Sequence, residues 1–199
     1  MRLFVGIDIE PEIRERIARF VEGAREFAPE ARWVKPETFH VTLKFIGEVR
    51  DEKVEDVKNA LGRATGAATA ISFRGFGFFP TPRNARVFWV GIEADPNLEA
   101  LARAVDEQLV GVQALGIEPE KARYKPHLTL ARASMRSSGN PHQRASGSAP
   151  AFQRLQEKLA AIAAPDFGTM TAREFFLYQS KLSPQGAQYT KVARFALNT

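Results

Sequence analysis

The chain repeats itself, and no other feature constrains its fold as much. Val5-Gly-Ile-Asp-Ile-Glu-Pro11 returns as Val90-Gly-Ile-Glu-Ala-Asp-Pro96, 85 residues on. The register continues through the apolar positions that follow: Ile13 meets Leu98, Ile17 meets Ala102, Phe20 meets Val105 and Ala24 meets Leu109. After a slippage of two residues, His40-Val-Thr-Leu43 falls on His127-Leu-Thr-Leu130. Two copies of one strand–helix–strand unit, over 2–47 and 87–133, imply pseudo-twofold symmetry. The two His-bearing strands are then expected to face each other across a cleft.

Periodicity supplies the elements. Residues 2–9 read as an apolar strand, and Pro11 suits the first turn of a helix. Ile13, Ile17, Phe20, Ala24 and Phe27 recur at helical spacing and mark its buried face. Trp33 and Val34 predict a short extended stretch, and 39–47 a strongly apolar strand. A second helix is expected over 51–63, with Val54, Val57 and Leu61 inward. Strands follow at 71–79 and 86–92, separated by the turn Pro80-Thr-Pro-Arg-Asn84. Leu98, Leu101, Val105 and Leu109 define a third helix, and 127–133 another strand. The stretch 134–150 is rich in Ser, Gly, Asn and Arg and is expected to form a mobile loop. Phe152, Leu155, Leu159 and Ile162 define a fourth helix. A closing hairpin is expected from 174–182 and 189–196 across Ser183-Pro-Gln-Gly186.

Residues i and i+2 share one face of a strand. His40 and Thr42 therefore point one way, and Val41, Leu43 and Phe45 the other. The second copy sets His127 and Thr129 against Leu128 and Leu130. Bringing the two polar faces together gives a pocket with two imidazoles and two hydroxyls. Hydroxyls can bind the non-bridging oxygens of a phosphate diester. A neutral imidazole can deprotonate a water while a protonated one gives its proton to the leaving oxygen. Histidine suits both duties because its ordinary pKa lies near 6.5.

A single His-x-Thr in an apolar strand is more often packing than chemistry. Two copies at matched repeat positions change that weight, because they use two of only three histidines in the chain. The third, His142, lies in the polar stretch and reads as a solvated bystander. A metal site is the competing reading of the pair. Against it, no Asp, Glu or third His recurs at ligand spacing near either motif, and Glu48 has no counterpart in the second copy.

Composition excludes some classes. With no cysteine, the fold cannot rest on disulfides, and zinc–thiolate sites are ruled out. No run of about 18 apolar residues predicts a membrane span. The N-terminal stretch turns acidic and polar too soon for a signal peptide, so the cytoplasm is the expected compartment. A hydrophobic content of 44% suits a single domain over 1–199 with a real core. The net charge of +5 permits a polyanionic partner and equally fits a solvated basic surface.

Phe4-Val-Gly-Ile-Asp8, Arg32-Trp-Val-Lys-Pro36, His40-Val-Thr-Leu-Lys-Phe-Ile-Gly47, Lys125-Pro-His-Leu-Thr-Leu-Ala-Arg132 and Phe176-Leu-Tyr-Gln-Ser180 occur in this order. Together they resemble the two-histidine phosphoesterase superfamily, and within it the RNA 2′,3′-cyclic phosphodiesterases of the LigT or ThpR type, once described as 2′–5′ RNA ligases. The resemblance covers nearly the whole chain. It implies a bilobal α+β fold, with antiparallel sheets lining a central cleft and helices outside. It implies hydrolysis of an RNA-terminal 2′,3′-cyclic phosphate to a 2′-phosphomonoester by a monomer, tRNA fragments among its substrates, with no metal or other cofactor and no membrane partner. Reversal would join RNA ends through a 2′–5′ bond. His40 would be the proton donor to the 3′ oxygen and His127 the acceptor that activates water. Thr42 and Thr129 would hold the phosphate. Arg132 resembles a phosphate-contacting position, yet strict alternation sets it opposite His127, and it reaches the site only if the strand bends near Ala131. The stretch 134–150 is longer and more basic than the family pattern.

Two other readings stay open. The substrate could be another cyclic phosphodiester, such as ADP-ribose cyclic phosphate, or a 2′–5′ oligoadenylate linkage, because the motifs read phosphate and not base. A non-catalytic RNA-binding module would use Arg83, Arg86, Arg132, Arg136 and Arg144 on phosphates, with aromatic rings stacking on bases.

Overall fold

A computed structural model describes residues 1–134, 150–183 and 186–198. The expected polar loop, with Arg136, His142 and Arg144, and the tip of the closing hairpin lie outside the described residues. In chain order the elements are β1 (Arg2–Asp8), α1 (Pro11–Arg25), β2 (Arg32–Trp33), β3 (His40–Glu48), α2 (Val54–Leu61), β4 (Thr69–Phe79), β5 (Val87–Ala94), α3 (Pro96–Val110), β6 (His127–Arg132), α4 (Pro150–Leu159), β7 (Asp166–Ala172), β8 (Glu174–Ser183) and β9 (Gly186–Ala196). Short 3-10 turns join several of them. Among the described residues, no helix is long and apolar enough to cross a membrane.

The strands form two antiparallel sheets, ordered β3-β1-β8-β9 and β2-β6-β5-β4-β7. The repeat accounts for this order. β1 and β5 are equivalent, each pairs with its own motif strand, and β3-β1-β8-β9 corresponds to β6-β5-β4-β7. The short β2 breaks the symmetry. It leaves the first copy to pair with β6 of the second, Arg32 opposite Arg132 and Trp33 opposite Ala131.

α1 and α3 each pack on the sheet of the other copy. α1 begins at Pro11 and turns Ile13, Ile17, Val21 and Ala24 inward. Beside that face Phe20 meets Phe76, Phe88 and Phe167, all of the five-stranded sheet. α3 is started by Asp95, whose carboxylate accepts the Asn97 amide at 2.9 Å and the Thr69 hydroxyl at 2.7 Å. Its buried face, Leu98, Leu101, Ala102, Val105 and Leu109, packs beside α2 and against β3. The exchange merges both halves into one continuous apolar core.

Three local expectations change. Ile162 is not inward: α4 ends at Leu159, and Ile162 is 43% exposed in the turn beyond it. Phe27 follows the end of α1 instead of completing its face. β7 is a strand that the periodicity does not announce. Its Gly168 has φ +110°, a left-handed conformation in which a side chain is strained.

Candidate active site

His40 opens β3 and His127 opens β6, and these two strands meet where the sheets adjoin. Each imidazole is held in the same way. Nδ1 of His40 lies 2.8 Å from the Thr38 carbonyl, and Nδ1 of His127 lies 2.8 Å from the Lys125 carbonyl. A carbonyl only accepts, so each Nδ1 carries the proton and donates it. Each Nε2 is then left for chemistry: a lone pair in the neutral ring, a proton in the cation.

Both rings rest on aromatic beds that the repeat also matches. Phe4 lies 4.7 Å from His40 between centroids, and its repeat equivalent Trp89 lies 6.4 Å from His127. Tyr178 stacks on Phe4 at 5.0 Å, and Tyr189 meets His40 edge-on at 5.2 Å. On the other side Phe79 lies 4.8 Å from Trp89 and 5.0 Å from His127. The glycines of the repeated Val-Gly-Ile make room for this. A Cβ on Gly6 would stand 2.9 Å from the Val41 oxygen and 3.4 Å from Cδ2 of His40. These aromatic residues were not singled out from sequence, although the repeat aligned Phe4 with Trp89.

Matched β-bulges correct the strict alternation. In β3 the register slips at Leu43 and again at Ile46; the first slip leaves Leu43 and Lys44 both buried. In β6 it slips at Leu130, which leaves Leu130 and Ala131 both buried. A bulge turns every later side chain to the opposite face. Phe45 is therefore not inward, as alternation predicts. It is 63% exposed, with its ring 6.1 Å from Phe4 on the His40 side. The same slip precedes Arg132 in β6. Its guanidinium is exposed and close enough to act electrostatically on His40, His127 and Tyr189. Thr42 and Thr129 are half-buried beside their histidines.

The two imidazoles differ in surroundings. Burial pushes His40 down to about 4, with Arg132 and His127 adding to it and the Thr38 carbonyl and Asp8 opposing. His127 is also lowered, by burial first and Arg132 after, against the Lys125 carbonyl. Asp8 is paired with His40 across β1 and β3 and bridges Arg14 at 2.7 Å and Lys191 at 2.6 Å. Burial alone would raise the Asp8 carboxyl, but Lys191 and Arg14 outweigh it and hold it below the usual range. A cavity of about 360 Å³ opens beside His40 over Asp8, Arg14, Tyr178, Tyr189 and Lys191. Among the described residues, no three His, Asp or Glu side chains gather to hold an ion.

Residues 7–89 match a family model described as LigT-like phosphoesterase. A protein of Archaeoglobus fulgidus named RNA 2′,3′-cyclic phosphodiesterase is 33% identical over 98% of this chain and 99% of its own length. A protein of the same name from Thermus thermophilus is 32% identical over 99% and 90%. In fold, the chain is similar to the crystal structure of Escherichia coli LigT complexed with 3′-AMP: TM-score 0.75, 27% identity, covering 100% of this chain and 98% of that one.

Proposed function

The chain belongs to the LigT-like phosphoesterases, and on that footing we propose that it hydrolyses RNA-terminal 2′,3′-cyclic phosphates to 2′-phosphomonoesters, with His40 as acid and His127 as base. The observation that carries this reading is the matched pair of Nδ1–carbonyl bonds, which leaves two Nε2 atoms free at the seam between the sheets. A water on the His127 side gives its proton to that Nε2 as its oxygen bonds to phosphorus. The P–O3′ bond breaks, and the 3′ oxygen takes the proton from Nε2 of His40. Thr42, Thr129 and Arg132 bind the phosphate oxygens. The Asp8 carboxylate favours the charged form of His40, and no such carboxylate acts on His127. Burial outweighs Asp8 in the free protein, so the assignment of donor and acceptor follows the family resemblance.

The free protein holds His40 neutral at pH 7, so the donor proton is acquired with the anionic substrate, whose charge favours imidazolium. Phe45 offers a flat apolar surface for the base. The whole constellation lies in one chain, which supports a monomer working as a single bilobal catalytic domain. The absence of cysteine suits the cytoplasm, and tRNA fragments are the substrates we favour among RNA ends. Reversal, with a 5′-hydroxyl in place of water, would form a 2′–5′ bond.

The test is turnover of a panel of 2′,3′-cyclic nucleotides and cyclic-phosphate-ended RNAs in excess EDTA, with identification of the product isomer. The expected product is the 2′-phosphate. A 3′-phosphate, or activity that needs a divalent ion restored, contradicts the reading; binding without turnover would make the protein an RNA-binding module.

A further inference from the structure

Residues 117–126 join α3 to β6 without regular structure, yet they deliver His127 to its place. Side-chain bonds fasten this segment to the other motif strand. The Tyr124 hydroxyl donates to the Thr42 carbonyl at 2.9 Å. Lys44, two residues along β3, donates from Nζ to the Glu118 carbonyl at 3.0 Å and pairs with Asp106 of α3 at 2.5 Å. Asp106 also accepts the Glu120 amide. Lys44 is only 6% exposed, and an ammonium so buried requires such partners.

β3 is the edge strand of its sheet, and an edge presents backbone groups that no neighbouring strand reaches. Tyr124 meets one of its carbonyls, two residues after His40, from a position three residues before His127. One hydroxyl therefore spans from the strand of one imidazole to the lead-in of the other. The bond acts on backbone, so it governs where the strands lie and not merely a rotamer. Burial raises the Tyr124 hydroxyl well above the ordinary tyrosine range, which keeps its donor proton at any working pH.

We propose that Tyr124 is a positioning residue for the reaction: its bond to the Thr42 carbonyl, with Lys44 as a second anchor, sets the spacing between the His40 and His127 imidazoles. This rests on the acid–base reading of the pair. An acid and a base that must reach one phosphorus from opposite sides lose rate steeply when either is displaced.

The experiment is Tyr124→Phe in the full chain, made in the wild-type background and in His127→Ala, with kcat and KM read on a 2′,3′-cyclic mononucleotide. Phenylalanine keeps the ring and removes only the bond. In the wild-type background kcat is expected to fall about tenfold with KM within about twofold. In the His127→Ala background the same change is expected to cost less than about twofold, because there is no second imidazole to space. An equal loss in both backgrounds, or no loss in the first, overturns the proposal. Val57→Ala, in the core of α2, serves as a stability control: if it lowers the unfolding temperature as much as Tyr124→Phe and kcat as well, the effect is general loosening and the proposal fails. A His127→Ala protein of full rate would instead overturn the acid–base reading, and the proposal with it.

Discussion

Phe45 and Arg132 occupy equivalent places on the two motif strands: each is the fifth residue after its histidine, and each is carried to the histidine side by a bulge two residues earlier. The pseudo-symmetry thus sets an apolar ring after one motif histidine and a guanidinium after the other. In the proposed reaction the first would serve the base and the second the phosphate.

Phe45→Ala is expected to raise KM for a 2′,3′-cyclic nucleotide by about tenfold, since stacking of a base on an aromatic ring contributes about 1–3 kcal/mol. Phe45→Trp should keep KM near the wild-type value. Steady-state kinetics on both variants check this; an unchanged KM in Phe45→Ala would mean that the base lies elsewhere.

Arg132→Gln is expected to weaken inhibition by a product nucleotide by about tenfold, in keeping with about 1.5–3 kcal/mol for a hydrogen bond to a charged group. Because Arg132 lowers both imidazoles, their pKa values should rise in this variant. NMR titration of the histidine ring protons reads the shift directly. A downward shift, or none, would place the guanidinium away from the pair.

Folding stability should fall as pH drops from about 6.5 to 4, because His40 is near its ordinary value when unfolded and at about 4 when folded. In that window the unfolded chain binds the extra proton, so stability rises with pH, by up to about 3 kcal/mol for this one group. His127 acts in the same direction. Asp8 contributes only lower, since its carboxyl is depressed from 3.8. Urea unfolding at pH 7 and pH 4.5 should show a smaller loss in His40→Gln than in wild type. Equal losses would contradict the buried, neutral His40.

The repeat made the motif strands, the helices after β1 and β5, and the paired histidines legible from sequence. Three things were not. The bulges carry no glycine or proline; Leu43-Lys44 and Leu130-Ala131 read as ordinary strand, and only pairing with β1 and β5 reveals the slip. The exchange of α1 and α3 between sheets depends on tertiary packing, to which a helix's own apolar stripe is indifferent. β7 is interrupted by Gly168, which sets Phe167 and Met170 three residues apart and breaks the alternation. The bulges mattered most, because they turn Phe45 and Arg132 to the histidine side of their strands.

The proposed reaction requires His40 and His127 to hold opposite protonation states at once. This is read from kcat/KM against pH, over about pH 4–10, for wild type, His40→Ala and His127→Ala. Each variant should lose about 10²–10⁴ in kcat. The wild-type profile should be bell-shaped, with limbs that belong to the coupled pair. His127→Ala should lose the acidic limb and keep the basic one, and His40→Ala should do the reverse. Limbs lost in the opposite pattern would exchange the two roles; a flat wild-type profile, or near-full rate in either variant, would contradict the account.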